Sequence, residues 1–502
     1  MKSKDKKIVS EQKFHSFIFS KDQALDWIII CGICILAYII LKIFYPFPAT
    51  VTDSGGYVVC AQKDFFSFYR PFGYSFFLQQ IYAISKSIHA VFIAQMIIYL
   101  ISVAFFSFTL KYFFKPNKKA IWYTLLVLFT CNPIAFFMAN SIMSDMLFAV
   151  LIYFMLALLI FIIKKKSYVA LIFFLIFLFC SLHVRYTAMI FPFVFIPILF
   201  MKKGSIRWVA AFSMILISVI FYNQIKSSMK KTTGFNQFST GFDGWQLANN
   251  ALHILPFIDL KPEEIDNPQI RNLHAFSIPY KDLIAEKTNN GRTVTARILW
   301  QSDFPLKQYL SESIKINRKP YATMWIALGS GVYSDYGRYL ILHYPVKFMR
   351  YYYFPNMVNM FYPTHTGIMK EYKIIDGKDI LDWYNISDTQ NLECKNDIYG
   401  KFLAPLSKII TLISWILIIG IGVISIINKK KINFDRDEKI IFWGLFIFAG
   451  IYYASTIFAS PIELRYWLPM SCVKFAFCYI LLNKLSVYKI KELLPTRKNK
   501  NG

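Results

Sequence analysis

The sequence predicts a polytopic α-helical membrane protein, and three observations carry that prediction. Long apolar runs recur along the chain. Lys and Arg collect in short clusters between alternate runs. Of the 502 residues, 56% are hydrophobic and 18% aromatic, a balance that soluble domains do not have. The formal net charge is +27, from 56 Lys+Arg against 29 Asp+Glu. Because the basic residues sit in loops rather than in one patch, the charge reads as topology and not as nucleic-acid binding. The partner this composition implies is a lipid bilayer.

A helix needs about 20 apolar residues to cross the hydrocarbon core. Seven candidates fill the first 225 residues, near 26–45, 89–110, 120–138, 145–163, 167–183, 187–201 and 206–223, the fifth and sixth of them short. Three more close the chain near 405–427, 440–459 and 466–483. Pro192 and Pro197 make the sixth irregular. Basic clusters then set the orientation. With both termini in the cytoplasm, that side holds the N-terminal lysines, Lys111–Lys119, Lys164–Lys166, Lys202–Arg207, Lys429–Lys439 and the tail from Lys484. The short loops on the other side hold only Lys63, Arg70, Lys86, Arg185 and Arg465. The chain therefore divides into a segment 1–25, a seven-helix module 26–223 with a large first outer loop 46–88, an extracytoplasmic domain 224–404, three helices over 405–483 and a basic tail 484–502. The expected location is a plasma or inner membrane, with any active site on the extracytoplasmic side. Tyr339–Pro363, aromatic but carrying Lys347 and Arg350, reads as an interfacial segment rather than a further span. No internal repeat is present, which weakens an inverted-repeat transporter.

The eight cysteines suggest no metal or redox motif: Cys31 and Cys34 have the CxxC spacing but lie inside the first apolar run. Cys60 and Cys394 fall outside the membrane on one side, where a disulfide is allowed but not favoured.

With orientation set, the ionisable residues near the apolar runs gather at the outer lip. Asp53 lies in "TDSGGY", Arg70 in "RPFGY", and Asp145 in "SIMSDMLF". His183 and Arg185 lie in "SLHVRYTA", Glu463 and Arg465 in "SPIELRYWLP". Each has a plain structural reading. Asp53 with Ser-Gly-Gly suits a turn, and Asp145 with Ser144 suits a helix cap. The arginines can snorkel, and Glu463 can pair with Arg465. Together they match a site that joins a carboxylate base to an anion clamp. Arg suits phosphate because its planar fork binds two oxygens. Nearby carboxylates are also the type of group that holds a divalent metal ion. Lys474, inside the last run, is an exception to the otherwise charge-poor spans. In "FDGWQLANNALH", Phe242 to His253, amides and a histidine suit an acceptor site, though a packed helix is the better expectation.

On these motifs the chain resembles the type C (GT-C) superfamily of polytopic glycosyltransferases, nearest the protein O-mannosyltransferase and aminoarabinose-transferase branch. The resemblance covers residues 25–225 and one motif in 460–483. It implies a base role for Asp53, with Asp145 assisting it or a metal. It assigns substrate contacts to Tyr57, Arg70, Tyr74, His183, Arg185, Glu463 and Arg465. It also implies a polyprenyl-phosphate sugar donor and a glycolipid, glycan or protein acceptor. Two departures stand out: the first loop lacks a second acid beside Asp53, and ten crossings are fewer than in those branches. Against this stand a lipid or polysaccharide flippase, an O-antigen ligase or polymerase, and a non-catalytic scaffold.

Overall fold

The computed structural model describes residues 13–45, 47–63, 70–201, 204–238, 240–362, 378–386, 404–429 and 432–488. Cys394 and most of the terminal lysines lie outside the described residues. The described chain is helical and has no strand; its one isolated bridge joins Ala49 to Ser141. Eight helices are long and apolar enough to cross a membrane: Lys21–Phe44, Ile88–Phe113, Lys119–Ala139, Ser144–Lys165, Ile206–Thr233, Pro405–Ile427, Arg436–Ala459 and Leu464–Leu485. Two shorter apolar helices, Tyr168–Val184 and Tyr186–Leu199, lie among them. The second opens as a 3-10 helix over Tyr186–Val194 that contains Pro192, the irregularity that proline predicts. The chain is thus a multi-pass helical membrane protein.

Burial ranks these helices. The most apolar window of Ser144–Lys165 is 83% buried inside the protein, against 11% for Pro405–Ile427 and 22% for Lys21–Phe44. The first is the hub, on which Tyr168–Val184 and Ile88–Phe113 pack. The other two turn Ile35, Ile39, Ile413 and Ile416 outward, as lipid-facing helices do.

The two ends of the bundle are closed by different contacts. At the end where helix Ala24–Phe44 begins, Lys111 Nζ meets Asp26 Oδ2 at 2.5 Å and Trp122 Nε1 donates to Asp26 Oδ1. There Lys164 pairs with Asp435 at 3.0 Å and Lys484 with Glu438 at 2.8 Å. Asp435 and Glu438 also form the capping box of helix Arg436–Ala459. Asn117 donates twice to Asn483, from its N to Asn483 Oδ1 and from its Nδ2 to Asn483 O.

Two expectations change. The first loop is not a turn around Asp53 but two helices, Thr52–Lys63 and Gly73–Ile84. Gly55 and Gly56 disfavour a helix locally. Burial of Tyr57, Val58 and Ala61 against Tyr74 and Leu78 offsets that preference. The seventh apolar helix continues to Thr233, ten residues beyond the apolar run ending near 223. Beyond it, helices over 242–361 pack on one another. Gly244 and Gly329 permit the closest approach, since a Cβ on Gly244 would stand 1.7 Å from Gly329 O. Trp245 stacks on Trp325 at 4.0 Å between centroids.

Phe242–Leu252 is a packed helix. His253 Nδ1 faces Asn249 O at 2.8 Å while Nε2 accepts from Thr295 N at 3.0 Å. Burial lowers His253 to a pKa of about 4, so it is neutral and occupied by its own neighbours.

Candidate functional site

At the opposite end, five segments converge. The bridge between Ala49 and Ser141 is made by Ala49 N donating to Asn140 O at 2.8 Å and Ile142 N to Ala49 O at 2.9 Å. Ser54 reinforces it: its hydroxyl donates to Ile142 O at 2.8 Å and accepts from Val51 N. From the neighbouring helix, buried Gln95 donates to Ala139 O and Ser141 O. These bonds lay the start of Thr52–Lys63 beside the start of Ser144–Lys165. Asp53 and Asp145 both sit in the first turn of their helices, where the helix dipole favours a carboxylate.

Asp145 is not the cap that its sequence setting suggests. The N-cap is Met143, which makes no side-chain bond. Asp145 is instead the buried centre of an arginine cluster. Its side chain is 5% exposed; Arg185 Nη1 lies 2.7 Å from Oδ1, and Arg465 Nη1 lies 3.6 Å from Oδ2. Asp145 Oδ2 has no hydrogen-bond partner among the described residues. Arg465 Nε reaches Glu463 Oε2 at 2.9 Å, the local pair that spacing suggests. Ser144 links the halves: its hydroxyl meets Tyr57 Oη at 2.8 Å and accepts from Arg185 at 3.4 Å.

Asp53 is more open. Arg70 Nη2 lies 2.6 Å from Asp53 Oδ1 and both side chains are about one-third exposed, 31% and 32%. Arg70 also stands 4.9 Å over the Tyr57 ring. Burial pushes the Asp53 carboxyl up, but Arg70, Arg465 and Arg185 outweigh that and hold it below its ordinary value. Asp53 is therefore ionised at neutral pH. Tyr74 is buried, edge-on to Tyr57 at 4.8 Å, with its hydroxyl 3.4 Å from Gln95 Oε1. It supports the wall without reaching the charges.

His183 is not brought into the cluster. Its Nδ1 faces Phe179 O at 2.9 Å and its ring packs on Phe221. It lines a separate open groove of about 690 Å³ with Phe72, Asn223 and Ser227. The role of its segment is backbone packing: a Cβ on Gly73 would stand 2.5 Å from His183 O, so Gly73 of "RPFGY" permits the crossing.

Sequence reading missed the amides that hold the last loop. Asn250 donates to Phe458 O and Ala459 O. Asn356 donates to Ile457 O and Ser460 O, both at 2.7 Å, and accepts from Ile462 N at 2.8 Å. The loop carrying Glu463 and Arg465 is thus fixed by residues more than a hundred positions earlier. Gln95, a lone amide in an apolar run, was visible as a polar exception; Asn356 carries no comparable mark.

The carboxylates do not fit a metal site. Asp53, Asp145 and Glu463 each face an arginine, and no three His, Cys, Asp or Glu converge among the described residues. The cluster can hold a carboxylate ionised at an opening and present three guanidinium groups to an anion. No family model, curated protein or solved structure matches the chain.

Proposed function

We propose that the chain is a membrane glycosyltransferase that moves a sugar from a polyprenyl-phosphate donor to an acceptor hydroxyl on the extracytoplasmic face. The observation that carries this reading is the convergence of Arg70, Arg185 and Arg465 on two helix-start carboxylates, one partly open and one buried. Arginine forks suit a lipid phosphate, and an ionised Asp53 suits a proton acceptor.

In this reading the donor phosphate draws Arg70 away from Asp53. The freed carboxylate takes the proton of the acceptor hydroxyl as its oxygen attacks the anomeric carbon. The carbon–oxygen bond to phosphate breaks with its electron pair, and the polyprenyl phosphate leaves bound to Arg185 and Arg465. Attack opposite the leaving group inverts the anomeric centre. Asp145 keeps the two arginines aligned, and Tyr57 offers a ring beside the sugar.

The test is transfer from radiolabelled polyprenyl-phosphate sugars in membranes carrying wild type or Asp53→Asn at matched expression. Loss of a catalytic base lowers the rate by about 10²- to 10⁴-fold. Unchanged transfer in the variant would remove Asp53 from the mechanism. No transfer by either chain, with glycolipid appearing on the opposite leaflet, would favour a flippase.

A further inference from the structure

Lys474 lies in the last helix, Ser471–Leu485, about one turn from its start, within the apolar stretch Leu464–Leu485. Its Nζ is 3.5 Å from Ser414 Oγ and is otherwise held between two indoles, 4.6 Å from the Trp415 centroid and 4.5 Å from that of Trp467. No carboxylate pairs with it among the described residues. Beside it, Trp467 Nε1 is buried with no hydrogen-bond partner. Both residues line a cleft of about 150 Å³ between Pro405–Ile427, Lys119–Ala139 and the last helix.

An ammonium at this depth without a counter-charge is costly, and such residues are retained where something pairs with them. Cation–π contacts with the two rings offset part of that cost but supply no negative charge. Snorkelling does not account for the arrangement, because the rings hold the head group inside the cleft instead of releasing it to an interface. Lys474 Nζ, whose one hydrogen-bond partner among the described residues is Ser414 Oγ, and the unpartnered indole N–H of Trp467 belong to residues that line one space. The wall beside them is apolar: Leu128, Ile410 and Leu417 are 58%, 39% and 49% exposed. A free anion would have to pass these side chains, whereas a lipid brings its own chain to cover them.

We infer that this cleft is a binding site for a lipid-borne phosphate, one oxygen on Lys474 Nζ, another on Trp467 Nε1–H, and the chain along Leu128, Ile410 and Leu417. The inference does not rest on glycosyl transfer, although Trp467 follows Arg465 by only two residues.

The full chain in mild detergent, titrated with phosphatidylglycerol or phosphatidylcholine and followed by native mass spectrometry, tests it. The expected result is a preference for phosphatidylglycerol of about tenfold or more, equivalent to about 1.4 kcal/mol. Lys474→Gln should abolish it, and Lys474→Arg should keep it. Trp467→Phe, which keeps an aromatic ring and removes the donor, should reduce it by a smaller factor and carries the test if Lys474→Gln does not fold. An unchanged preference in Lys474→Gln or Trp467→Phe would overturn the site. So would displacement of phosphatidylglycerol by inorganic phosphate at equal concentration, which would mark an open anion site instead.

Discussion

The two ends of the bundle both bury carboxylates, yet they do so with different cations. Among the described residues, every ion pair at the Asp26 end uses lysine: Lys111, Lys164 and Lys484. Every described pair at the Asp145 end uses arginine: Arg70, Arg185 and Arg465. Lysine is a strongly hydrated point charge, and here each one holds a single partner. Arginine presents a rigid fork; Arg185 and Arg465 share Asp145, and Arg70 joins them through Tyr57 and Ser144. The Asp26 end is closed by side chains that complete one another. The Asp145 end keeps an unbonded carboxylate oxygen and a partly open Asp53. The difference separates charges that join helices from charges arranged around a space.

The largest expected effect tests that division directly. Asp26→Asn and Asp145→Asn each strand a buried cation, and removing one partner of such a pair costs about 3–5 kcal/mol. Both should therefore melt earlier in detergent. Per folded molecule, only Asp145→Asn should lose sugar transfer. Equal loss in Asp26→Asn would erase the distinction.

A charge-conserving exchange sharpens it. Arg185→Lys keeps the charge and gives up the guanidinium, whose Nη1 reaches both Asp145 and Ser144, a loss of about 1.5–3 kcal/mol for hydrogen bonds to a charged group. It should lower kcat/KM about tenfold or more. Lys164→Arg at the other end, with Asp435 more than half exposed, should stay within about 0.5 kcal/mol in thermal melting. If Arg185→Lys is silent, the fork geometry is irrelevant and only charge matters.

Asn356→Ala removes three hydrogen bonds from the 457–462 loop, and each backbone group that stays buried and unpaired costs about 1–3 kcal/mol. Because that loop leads to Arg465, KM for the donor should rise more than kcat falls. A uniform loss of yield with unchanged kinetics would make Asn356 structural only.

The smallest effect is in pH. The folded Asp53 pKa is depressed by the arginines. Its pairing therefore contributes stability that is complete above the ordinary carboxylate value, about 4. That contribution is lost as pH falls through the lower folded value. Transfer by wild type should hold through mildly acid solution, with its acid limb below about pH 4. An acid limb near neutrality would point to a different base.

Much of this was readable from residues alone. Apolar runs of sufficient length mark helices because backbone polar groups in lipid must bond within their own segment. Pro192 announced the irregular helix that follows Arg185. The ionisable exceptions at the run ends, Asp53, Arg70, Asp145, Arg185, Glu463 and Arg465, are the residues that meet, because charge near hydrocarbon is retained only with a partner. Local pattern failed where tertiary contacts outweighed it. Ser54-Gly55-Gly56 reads as a turn, yet burial of Tyr57 and Val58 and the Ser54 bond to Ile142 make it helix. His183 shares a motif with Arg185, but the chain leaves its helix between them and they face different spaces.

The sequence by itself determined that the chain is a multi-pass helical membrane protein and which side chains stand at the ends of its apolar runs. Helix length and hydropathy are properties of contiguous residues, so they need no fold to be read. Which acid faces which arginine was decided only by tertiary structure. Asp53 lies in the first turn of one helix and Arg70 just before the next, Gly73–Ile84, whereas Asp145 meets Arg465 from more than three hundred residues away, through a loop held by Asn250 and Asn356. No periodicity records such distances; packing of the bundle creates them.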